Sequence, residues 1–153
     1  MLETPHVAVG AAIATKIPNP LIAIPLAFLS HFVLEKVPHW NPHIVTETKK
    51  YGAPTQKSIT IIALDVALAL GTGSLIAWQA LPNRGHAITI MLASFASVLP
   101  DLIESPYFFL NMRSKFLKSW ITFQKSLQND TTPLWGLLTQ VITIAAAILW
   151  LKN

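Results

Sequence analysis

The stretch "SITIIALDVALALGTGSLIAWQAL", Ser58 to Leu81, decides the class of this chain. It exceeds the roughly 20 apolar residues that a helix needs to cross a bilayer, and Asp65 is its only charged side chain. Its "GTGS" patch suits close helix packing within a membrane. The rest of the chain has the same character. Of 153 residues, 52% are hydrophobic and 12% charged, about half the roughly 25% charge of a soluble domain. The mean hydropathy is +0.50. The expected class is an all-α, polytopic membrane protein folded as one domain over residues 1–153.

Outward from that span, four more apolar segments appear. Pro5 to Ile17 is rich in Ala and Gly and ends at the turn signal "PNP"; it is short for a crossing and suits a re-entrant or partly buried helix. Leu21 to Val37 holds Pro25 one turn inside. A polar loop follows it. "PNRG" turns the chain into a segment from His86 to about Leu110, interrupted by "LPDLIESP". Between Asn111 and Asp130 lies a basic amphipathic stretch. Its Phe116, Trp120, Phe123 and Leu127 recur at helical spacing, as in a helix on the bilayer surface. Pro133 to Leu151 is a further span. The expectation is about four transmembrane helices, a short N-terminal helix and an interfacial helix.

The Lys and Arg residues orient this bundle. Lys36, Lys49, Lys50 and Lys57 crowd one loop, and Arg113, Lys115, Lys118 and Lys125 another. The opposite turns hold only Lys16 and Arg84, so the rich loops belong in the cytoplasm; Lys152 dissents mildly. The formal net charge of +4 is spread over loops without a dense basic tract, which argues against nucleic-acid binding. With no cysteine there is neither a disulfide framework nor a thiolate site. The N-terminus starts acidic and does not read as a signal peptide.

That orientation brings polar residues to one depth. His6, the trio His31, Glu35 and His39, and the pair Asp101 and Glu104 all fall at cytoplasmic helix ends, with Asp65 about two turns inside. Glu35, Asp65, Asp101 and Glu104 are four of the seven acids in the chain. A carboxylate in a bilayer faces the bundle interior and finds a partner. His31 and Glu35 are four residues apart, and Asp101 and Glu104 three, so each pair projects from one helix face. These segments carry no Lys or Arg inside, which leaves a divalent cation or protonation as the compensation. Imidazole plus carboxylate suits zinc, manganese or iron better than calcium.

Each residue also has a structural alternative. His31 can be a hydrogen-bonded packing residue, and Asp101 after Pro100 can cap a helix starting at "PDLIESP", with Glu104 completing a capping-box pair. Asp65 can be a protonated acid bonded across helices, and His6 an interfacial residue. His39 and His43 flank an exposed turn at Trp40, and His86 lies on the far side. Gln124 and Gln128 read as solvated, and Ser30 as a packing residue.

With "PHVAVGAA", "SHFVLEKVPHW" and "LPDLIESP" in view, roughly the first 110 residues resemble a family of small bacterial membrane proteins regarded as metal-dependent hydrolases. Its wider relatives resemble zinc-dependent phospholipase C folds. The resemblance implies His6, His31, Glu35, His39, Asp101 and Glu104 as candidate ligands, and a place in the bacterial cytoplasmic membrane. Glu35 stands where Asp is common, and "FQKSLQND" offers Gln where the relatives have His. The implied function is hydrolysis of a phosphoester or related ester, of a lipid or small molecule, at the cytoplasmic interface. There a divalent metal, zinc before manganese or iron, sits on His6, His31, Asp101, Glu35 and His39, and Glu104 or Asp65 acts as the base. The alternatives are a metal or proton carrier and a structural scaffold. Membrane lipids are the expected partners.

Overall fold

The computed structural model describes all residues, Met1–Asn153, as seven helices: α1 (Glu3–Lys16), α2 (Pro20–Leu34), α3 (Ile44–Tyr51), α4 (Gln56–Gln79), α5 (Arg84–Phe109), α6 (Lys115–Leu127) and α7 (Pro133–Lys152). There are no strands beyond one isolated bridge, between His39 and Asp130. Helices α4, α5 and α7 are long and apolar enough to cross a membrane. The second apolar segment is shorter than expected. As α2 it has 15 residues, about 22 Å at 1.5 Å each against a hydrocarbon core of about 30 Å.

The N-terminal helix is the centre of the molecule. Helices α2, α4, α5 and α7 all pack on α1, and nine of its 14 residues are buried. Small side chains make this possible, because they let helix backbones approach where a membrane offers no hydrophobic drive. Ala8, Ala11, Ala12 and Ala14 are completely buried. A Cβ on Gly10 would lie 2.7 Å from the Cβ of Ser97, so α1 meets α5 there with no room for a methyl group. The large apolar side chains point the other way: Leu64, Leu68 and Leu75 of α4 and Val141 and Leu149 of α7 are each at least 60% exposed. A helix that is apolar on its outward face as well as its inward one belongs in lipid.

Helix starts follow local chemistry. The side chains of Asn19, Thr55, Asn83 and Ser114 accept hydrogen bonds from first-turn N–H groups of α2, α4, α5 and α6. Two sequence expectations fail. "LPDLIESP" does not interrupt its segment: α5 runs unbroken through Pro100 and Pro106. Pro106 has no N–H for the Leu102 carbonyl, and the Ser105 hydroxyl donates to it instead at 2.9 Å. Asp101 is therefore in mid-helix and caps nothing. The polar loop after α2 contains helix α3, closed by Gly52 at φ +85°. In α6 the buried line is Leu117, Ile121 and Gln124, while Phe116 and Phe123 stay largely exposed.

Candidate metal centre

Three helices meet at one point beside the N-terminus of α1. His6 comes from the second turn of α1, His31 from the last turn of α2, and Asp101 from α5 just after Pro100. One ligand atom from each of these lies within 4.8 Å of the others. The imidazoles of His6 and His31 are both fully buried and stack with centroids 4.1 Å apart, 17° from parallel. His31 Nε2 is 3.6 Å from Asp101 Oδ1.

The backbone sets the ring orientations. His31 Nδ1 donates to the Ser97 carbonyl at 2.8 Å, and His39 Nδ1 donates to the Val37 carbonyl at 2.8 Å. With the proton on Nδ1, each Nε2 carries a lone pair aimed into the site, the arrangement that prepares a histidine for a metal.

Glu35, 1% exposed, joins this group to His39. Its Oε1 is 3.3 Å from His6 Nε2 and also contacts the Met1 amino group; its Oε2 is 3.6 Å from His39 Nε2. His39 is held by two loops. Its N–H donates to Asn129 and its carbonyl accepts from Thr131, both at 3.0 Å. Glycine at 136 lets α7 touch this loop, since a Cβ there would lie 2.6 Å from Trp40 Cβ and 2.7 Å from the His39 carbonyl carbon. Gln140 donates to the Trp40 carbonyl at 2.9 Å. Burial holds the His39 imidazole below its ordinary pKa, so it is neutral and able to ligate.

The remaining expected residues divide. Asp65 caps α1 from α4: its carboxylate accepts from the N–H groups of Glu3 and Thr4 and, at 2.6 Å, from the Thr4 hydroxyl. Glu104 lines a cavity of about 350 Å³ with Asp101, Asp65 and Glu3. His43 is exposed at the cavity wall, and His86 is remote, bonded to the Ala14 carbonyl at 3.0 Å. Gln124 is not solvated: it is 2% exposed and donates to Asp101 Oδ1 at 3.0 Å. Gln128 is half-buried and lines the cavity. Sequence reasoning missed Glu3 and Gln140. For Gln140 the available signal was a polar side chain inside a clean span.

The donor set fits a cation. The Nε2 atoms of His6, His31 and His39 and Oε2 of Glu35 are buried without a hydrogen-bond partner. Each such atom costs about 1–3 kcal/mol, so four would remove about 4–12 kcal/mol, the size of a whole protein's net stability. Two imidazole nitrogens and a carboxylate oxygen around one point suit a transition metal. No family model, curated protein or solved structure matches the chain.

Proposed function

We propose that the protein is a membrane-embedded, metal-dependent hydrolase of a phosphoester or related ester, as its resemblance to that hydrolase family also suggests. The observation that carries this reading is the pair of fully buried histidines His6 and His31, whose Nε2 atoms lack a hydrogen-bond partner, grouped with Asp101, which itself lines an accessible cavity. His6, His31 and Asp101 would hold a divalent ion, with zinc first among the candidates. Glu35 and His39 complete the shell around them, and Gln124 orients Asp101. Such an ion supplies Lewis-acid polarisation of the ester oxygen and activation of water near neutral pH.

The chain's own groups do the rest. Glu104, on the α5 face one turn from Asp101, takes the proton of the attacking water and returns it to the departing ester oxygen. The Lys49 side chain at the cavity wall draws in an anionic group. Apolar walls such as Phe108 and Ile62 limit water around the reacting centre. Asp65 is engaged by the first turn of α1 and takes no part in the chemistry. By the distribution of Lys and Arg the site faces the cytoplasm, and α2 forms a fourth crossing over which the bilayer thins locally.

The test is elemental analysis of the purified protein beside His31→Ala, with turnover of a generic phosphodiester in wild type and Glu104→Gln. One transition-metal ion per chain, lost in His31→Ala, and turnover lost in Glu104→Gln with the metal retained are the expected results. Equal, negligible metal in both proteins would end the hydrolase reading.

A further inference from the structure

From the cavity that holds Glu104 and Asp101, a second hollow of about 270 Å³ runs along the seam between α4 and α5. The two share Glu3, Val66 and Leu102, so they adjoin. The floor of the hollow is Val7 of α1 with Ala69 and Gly73 of α4, and its rims are Leu70, Met91 and Phe95, all more than 40% exposed toward the membrane side. A Cβ on Gly73 would sit 3.1 Å from Val7 Cγ1, so the glycine keeps this floor low. The one polar group in its middle, the Ser94 hydroxyl, is spent on its own helix, donating to the Ile90 carbonyl at 2.8 Å. Nothing along the groove asks for water.

We infer that this groove seats one acyl chain of a bilayer lipid whose headgroup enters the acid-and-imidazole cavity. Its dimensions select that occupant. Met91 to Leu102 along α5 spans about 16 Å, close to the roughly 15 Å depth of one leaflet's hydrocarbon. The volume spread over that length leaves a mean cross-section of roughly 17 Å². A single hydrocarbon chain, with carbon contacts near 4 Å, fits this. A helix of a second copy, about 10 Å across, does not. The polar end of the groove opens beside Asp101 and Glu104, so a chain seated there delivers its own ester linkage to the site. This names a lipid as the substrate class and rests on the hydrolase reading for the headgroup chemistry, though not for occupation of the groove.

The experiment uses the full-length protein in phosphatidylcholine vesicles doped with a phosphatidylcholine carrying a photoactivatable diazirine in one acyl chain. After irradiation, labelled residues are mapped by mass spectrometry in wild type, His31→Ala, Ala69→Phe and Val98→Phe, each checked for monodispersity and helix content. Labelling should concentrate on Leu70, Met91 and Phe95 rather than on Leu137 and Val141 of α7. His31→Ala should keep that pattern. Filling the groove from its floor at Ala69, or from Val98 of α5, which also lines it, displaces at least two methylenes, and groove labelling should fall roughly tenfold in whichever of the two variants folds. Labelling spread evenly over α4, α5 and α7, or groove protection caused by chain dimers, would overturn the inference. Groove labelling in a wild-type protein that holds no metal would leave the inference standing and sink the hydrolase reading. Metal with even labelling would do the reverse.

Discussion

Gly136→Ala isolates the contact that positions His39. The added Cβ would lie 2.7 Å from the His39 carbonyl carbon and 2.6 Å from Trp40 Cβ, where 3.4 Å begins ordinary contact. Both neighbours are tied down: His39 by backbone hydrogen bonds to Asn129 and Thr131, Trp40 by Gln140. The Trp40 backbone nitrogen would lie closer still, so relief requires a shift of about one ångström between α7 and the loop. Because His39 Nε2 lies 3.6 Å from Glu35 Oε2, that shift displaces the His39 imidazole relative to Glu35 and so disturbs the proposed site. Overpacking of this kind costs about 1–3 kcal/mol, a fall of about 2–12 °C in the thermal midpoint for a chain of this length. Metal affinity should drop about 10- to 100-fold, the usual effect of disturbing a supporting partner. Thermal unfolding and competitive zinc titration measure the two. Gly71→Ala is the control, since a Cβ at Gly71 meets nothing within 4 Å; it should be neutral or slightly stabilising. Wild-type unfolding and affinity in Gly136→Ala would refute the positional argument.

Other perturbations address other parts of the molecule. Gln124→Leu removes the amide that donates to Asp101 and should weaken metal binding by about tenfold, read by the same titration. Asp65→Asn should lower stability by about 1–2 kcal/mol through the weakened cap on α1 while metal content stays at the wild-type value, read by unfolding and elemental analysis. Glu47 accepts from the Thr55 N–H at 2.7 Å and from the Ser58 hydroxyl at 2.7 Å, and the Thr55 bond is the main cause of a pKa held below the ordinary value of 4.5. Its contribution to stability is therefore complete above the unfolded pKa and lost as pH falls through the lower folded one. Melting temperatures of wild type and Glu47→Gln should differ at neutral pH and converge in acid.

The spans were legible because crossing a bilayer is a one-dimensional requirement, met by length and apolarity in α4, α5 and α7. The meeting of His6, His31 and Asp101 was legible for a related reason: orientation by Lys and Arg puts their helix ends at one depth. What escaped depended on partners distant in sequence. The penalty at Pro106 is offset by the Ser105 hydroxyl on a freed carbonyl, so α5 continues where a breaker was expected; the Ser97 carbonyl, in the turn before Pro100, accepts from a histidine of α2. Asp65 looked like a stranded acid because the N–H groups it accepts from belong to α1. In α6 the aromatic residues drew attention to one face, although Leu117, Ile121 and Gln124 carry the same helical spacing on the face that is buried.

The central position of α1 also sets an order of events during synthesis. Among these seven helices α1 is made before the six that enclose or follow it, and the residues at its N-terminus are clasped by Gln140 of α7, through the Leu2 N–H at 2.8 Å. At about 5–20 residues per second, the ribosome takes roughly 6–23 s to reach α7 after completing α1. Throughout that interval α1 lacks the α7 contacts that close its N-terminal turn. The enclosure of α1 is therefore complete only once the last helix has entered the bilayer, which makes the docking of α7 the closing step of assembly.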